Sequence, residues 1–83
     1  MNDKELSKID QDMIDRLVKD FPYFSEFEYL GVKMKVLAHR RYFWGMYSFS
    51  VIPVLACEYV DKNGVIRGKE FSFEQAMKIK GDL

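Results

Sequence analysis

The chain changes its hydrophobic period at Pro22, and that switch constrains the fold more than any other feature. Before it, Ile9, Met13, Ile14, Leu17, Val18 and Phe21 recur at three- and four-residue spacing, which stacks them on one face of a helix. After it, "EFEYLGVKMKVLAH" alternates, with Phe27, Tyr29, Val32, Met34, Val36 and Ala38 separated by Glu28, Lys33 and Lys35. That is the period of a strand with one buried face. A proline cannot continue a helix and restricts the residue before it, so the helix stops near Asp20 or Phe21. At its start, Asn2 with Glu5 offers a capping box, but a helix from there would carry Asp10 onto the apolar face. Ser7 as cap instead puts Asp10 and Asp12 in the first turn, where carboxylates suit the positive end of the helix dipole.

The rest of the chain reads as sheet and one further helix. Gly31 interrupts the alternation, as a bulge or as a tight Leu30–Gly31 turn. "PVLACEYV" is the next strand, with Pro53 expected at its start, where the missing N–H is tolerated. "DKNG" at 61–64 signals a hairpin, Asp61 opening a type I turn and Gly64 taking the left-handed position. "VIRGKEF" returns as the partner strand. "SFEQAMKI" is then a short helix: Ser72 caps it, Gln75 completes a capping box, Phe71 staples against Ala76 and Gly81 ends it. The order predicts an α+β fold in a single domain spanning 1–83. A small antiparallel sheet of three to four strands carries an N-terminal amphipathic helix and a short C-terminal helix on one face. At 83 residues there is no room for a second core.

Charge and composition narrow the function classes. Formal net charge is zero, which argues against binding nucleic acid through an overall field. The zero hides a segregation: residues 1–30 carry eight acids against four bases, while 31–50 carry Lys33, Lys35, Arg40 and Arg41 and no acid. Cys57 is the only cysteine, so no internal disulfide forms and nothing points to an oxidising compartment. The first ten residues lack the apolar run of a signal peptide. The longest apolar stretch, "VIPVLAC", is far shorter than the ~20 residues needed to span a bilayer. The expectation is a cytoplasmic chain without a membrane partner.

Enzyme chemistry finds few candidates. His39 and Cys57 are each unique, so a nucleophile–base pair would have to be these two, and a cysteine within an apolar strand behaves as a small inert hydrophobe. A structural zinc site takes four Cys or His ligands and the chain has two such residues. The five glycines are scattered, with no phosphate-cradling loop. The expectation is a non-enzyme with no catalytic residues, no metal and no cofactor, a Cys57-dependent enzyme being the remote alternative.

"HRRYFWGMY", residues 39–47, is the stretch that ordinary packing does not explain. Arg40, Arg41, Tyr42, Trp44 and Tyr47 combine charge with large rings, the residue types that dominate protein interfaces. Gly45, Ser48 and Ser50 break the period, so the segment reads as a loop carrying aromatics, and four rings at 42, 43, 44 and 47 cannot all point one way. The bland alternative packs Phe43, Met46 and Phe49 inward with the arginines snorkelling beside them. The leading expectation is a protein-interaction module, with these five residues contacting a protein partner or a second copy as a homodimer. Size and character suggest an accessory or inhibitor protein of phage or mobile-element type. The alternative is weak, nonspecific nucleic-acid binding through Lys33, Lys35, Arg40, Arg41 and Trp44, with a salt slope near about −3.6 for four phosphates.

Overall fold

The computed structural model describes residues 8–81. The order is α1 (Lys8–Asp20), β1 (Glu26–Tyr29), β2 (Val32–Trp44), β3 (Phe49–Val60), β4 (Ile66–Ser72) and α2 (Phe73–Lys80). The strands form one antiparallel meander in the order β1-β2-β3-β4. Side chains from both helices enter one core with the sheet: Leu17 of α1 and Phe21 just beyond it, Met34 and Val36 of β2, Leu55 and Cys57 of β3, Phe71 of β4, Ala76 and Met77 of α2. The α+β architecture read from the sequence is the one observed.

Helix α1 ends at Asp20, just ahead of Pro22. Ile14, Leu17 and Phe21 are buried, each worth roughly 1.5–3 kcal/mol relative to exposure. Met13 and Val18 are half-buried, and Ile9, expected on the same stripe, stands in solvent. The proposed caps at Ser7 and at Asn2 with Glu5 lie outside the described residues. Gly31 is resolved as a turn and not a bulge: Tyr29 pairs with Val32 and the two residues between have φ of 51° (Leu30) and 81° (Gly31), the signature of a type I′ hairpin. At 61–64 the Gly64 N–H donates to the Asp61 carbonyl at 2.9 Å, and Gly64 has φ of 82°. The Asp61 carboxylate accepts from Arg67 and from the Val65 and Asn63 N–H groups, which holds its pKa below the usual carboxylate range. Helix α2 carries both halves of the Ser72–Gln75 capping box and ends on left-handed Gly81.

Two sequence expectations are corrected. The alternation through Val36 and Ala38 does not continue inward: a register shift between them leaves Leu37 exposed and Ala38 half-buried, and His39 takes the inward place. Pro53 does not start β3, which begins four residues earlier at Phe49. β4 stops at Ser72 opposite Val54, so at Pro53 the strand has only β2 beside it. A missing N–H is tolerated on a side with nothing to receive it.

Candidate functional site

That early end of β4 leaves exposed the segment that carries the candidate site. β1 stops pairing with β2 at Lys35, with Phe24 and Ser25 extending the contact only to Val36. Residues 40–44 and 49–53 therefore pair only with each other, as a two-stranded ribbon running past the sheet. Principal extents of 43 × 30 × 18 Å and a radius of gyration of 14.0 Å reflect this elongation. A compact chain of this length would have a radius near ~12 Å. The segment read as a loop is thus strand, closed by a four-residue turn in which Gly45 N–H donates to the Ser48 carbonyl at 2.8 Å.

Rings cover both faces of the ribbon. Trp44 pairs with Phe49 and Tyr42 with Val51, which sets Tyr42, Trp44 and Phe49 on one face. There Phe49 lies between the other two, stacked at 5.7 Å on Tyr42 and tilted at 4.4 Å from Trp44. Phe43 and Arg41 alternate onto the other face. Trp44 is 74% exposed, Met46 86% and Tyr47 95%, while Tyr42 and Phe43 keep about half their surface in water. Phe43 and Met46 do not pack inward as the bland reading had it. Phe43 and Met46 also belong to the exposed apolar set that the sequence reading of the site left out. Their proximity in sequence to Trp44 was a usable signal.

The basic residues do not gather around these rings. Arg41 Nε donates to Glu70 Oε1 at 3.0 Å, bridging across β3 to β4, and Lys33 lies 3.7 Å from Glu26. Lys35 sits over the Phe24 ring at 5.8 Å. Strand rise places Lys33 and Lys35 roughly 30–36 Å along β2 from Trp44. Arg40 is half-buried at the ribbon's base with no carboxylate in ion-pair reach among the described residues.

His39, grouped with the arginines by sequence, is separated from them by the fold. It is fully buried, its Nε2 donates to the Phe21 carbonyl at 2.5 Å, and the Tyr23 ring meets it edge-on at 4.4 Å. Its Nδ1 has no partner among the described residues. Among the described residues the His39 ring therefore bonds to the residue just past α1 and not to Cys57. Cys57 is buried in β3 opposite Val36, and burial pushes its thiol up to about 11. An open cleft of about 520 Å³ between the β1–β2 turn and α2 is lined by Glu28, Tyr29, Leu30, Gln75, Lys78 and Ile79, which include no thiol, hydroxyl nucleophile of Ser or Thr, or imidazole. Among the described residues no three His, Cys, Asp or Glu side chains are placed to hold a metal, and no helix is long and apolar enough to cross a membrane. No family model, curated protein or solved structure matches the chain.

Proposed function

We propose that this is a non-enzymatic protein-interaction module whose contact surface is the β2–β3 ribbon, with Arg40, Arg41, Tyr42, Trp44 and Tyr47 as contact residues. The observation that carries it is the exposure of five large apolar side chains at 42–44, 46 and 47 on a projection that the domain's own core does not reach. Four of these are rings, and at ~150–250 Å² per aromatic they leave on the order of 400–700 Å² in water. Spread over both faces of the ribbon, that sum is comparable to the biggest apolar patch on a typical monomer, ~300–600 Å², and concentrated apolar exposure of this size commonly marks interaction sites. Nucleic acid has less in its favour, because two of the four proposed phosphate contacts pair with carboxylates and both lysines lie at the other end of β2. The test is a Trp44→Ala, Tyr47→Ala double variant. Its unfolding midpoint should match wild type, since both rings are largely in water, with stability within about 0.5 kcal/mol. Affinity capture from the native host with both proteins in parallel should recover a partner with wild type that the variant loses. Equal recovery by the two would sink the reading.

A further inference from the structure

From Leu37 to Trp44, no strand among the described residues runs along the outer margin of β2, although that run is as long as an ordinary strand. Exposed apolar side chains collect at both ends of this same margin. Tyr23 and Phe24 stand at the Pro22–Ser25 corner, which is bonded to Val36, and Trp44, Met46 and Tyr47 stand at the ribbon tip. Phe24 holds a φ of 65°, a left-handed conformation costly for a bulky residue, and most of its ring is in water.

We propose that the occupant of this margin is a second copy of the chain, with β2 pairing antiparallel to β2 of the partner subunit about a two-fold axis at Tyr42. This rests on the ribbon being a docking surface and names what docks. The position of the axis follows from charge. A two-fold normal to the sheet keeps each side chain on its own face, so opposed residues differ by an even number and the axis falls on a residue. On Arg40 or Arg41 it would set like guanidinium groups directly opposite, which is destabilising. On Phe43 it would set Arg41 against the turn residue Gly45 and shorten the pairing. On Tyr42, Arg40 faces the partner's Trp44, a cation beside a ring, while Arg41, held toward Glu70, faces the partner's Phe43 with no like charge opposite. Arg40 has no carboxylate in ion-pair reach among the described residues, which leaves its charge open to a ring of the partner.

The same register carries the tip to the corner. Pairing in this register runs from Arg40 to Trp44 of each copy, about 13 Å of strand from end to end, and brings the partner's turn at 45–48 toward Ala38 and the corner that holds Tyr23 and Phe24. Pairing along this margin would cover the flanks of the ribbon rings and of that corner, part of the ~800 Å² per subunit that a standard stable interface buries.

Sedimentation equilibrium of the wild-type chain over about 1–100 μM should show a reversible dimer. A Tyr42→Cys variant should oxidise to a covalent dimer, because residues opposed on the axis have Cα atoms ~4.5–5.5 Å apart, within disulfide reach. A Trp44→Cys variant is the control: its two copies would lie roughly 13 Å apart, so it should cross-link at least ~10-fold more slowly. Both positions are exposed, and Cys57 is buried and does not compete. A monomer at every concentration overturns the second copy as occupant, and so does cross-linking of Trp44→Cys as fast as Tyr42→Cys. If the wild type is monomeric but still captures a partner that the Trp44→Ala, Tyr47→Ala variant loses, the docking surface stands and only its occupant is wrong.

Discussion

His39 shows how a single side chain can be misplaced by its neighbours in sequence. Beside two arginines it reads as part of a basic cluster, yet its ring is enclosed and serves the backbone of another element. The Phe21 carbonyl lies just past the end of α1, and the Phe24 and Ser25 N–H groups that could close a turn onto it donate instead to the Val36 and Pro22 carbonyls. His39 Nε2 supplies the missing donor. A His39→Leu substitution keeps the bulk and removes the donor, leaving a buried carbonyl unsatisfied. The expected loss is about 1–3 kcal/mol, read as a lower denaturant midpoint with unchanged slope. An unchanged midpoint would mean that water reaches the carbonyl and the histidine is not its essential partner. Nothing adjacent to His39 in the sequence could have disclosed this contact, because it joins residues 18 positions apart.

Elements whose signals are local were legible, and elements defined by what lies across from them were not. Helix α2 is specified within ten residues, from the Ser72 hydroxyl to the Gly81 backbone, and it forms as read. The ribbon strands were hidden for a physical reason. Alternation shows in a sequence only when one face is buried and the other wet, and here both faces carry rings in water. The same applies to the shift at Leu37, whose parity change depends on the register of β3. The candidate site was legible to the extent that four crowded rings cannot share a direction. That Lys33 and Lys35 sit far from Trp44 depends on the length of β2, which the broken alternation concealed. The β1–β2 turn offers a test at this scale. Leu30 adopts a left-handed conformation that costs a residue with Cβ roughly 1–2 kcal/mol, and its side chain is exposed, so little packing is at stake. Leu30→Asn creates the Asn–Gly pair that type I′ turns favour and should raise stability by about 1 kcal/mol in thermal or chemical unfolding. A decrease would show that Leu30 contributes packing which its exposure does not reveal.

The whole molecule divides into a domain stabilised by its own core and a projection that borrows little from it. The aromatic cluster of Phe21, Phe27, Tyr29 and Phe71, with edge-on contacts between 4.8 and 6.0 Å, lies with the core while the ribbon rings contact mainly one another. Substitutions at Trp44 and Tyr47 should therefore change what the molecule touches and leave its unfolding largely as it was. Open strand margins are also where unwanted growth begins. β4 guards its own outer margin with Arg67, Lys69 and Glu70. On the remaining flank of the ribbon, Pro53 interrupts the row of N–H groups that an incoming strand would need. Replacing it, as in Pro53→Val, should make concentrated solutions prone to thioflavin-positive fibres, and solutions as clear as wild type would assign that protection elsewhere. Under the proposed pairing one flank is taken by the second copy and the other is blunted by an imino acid, so growth would have nowhere to continue after the first join. Assembly on those terms would end in a finite particle rather than a polymer.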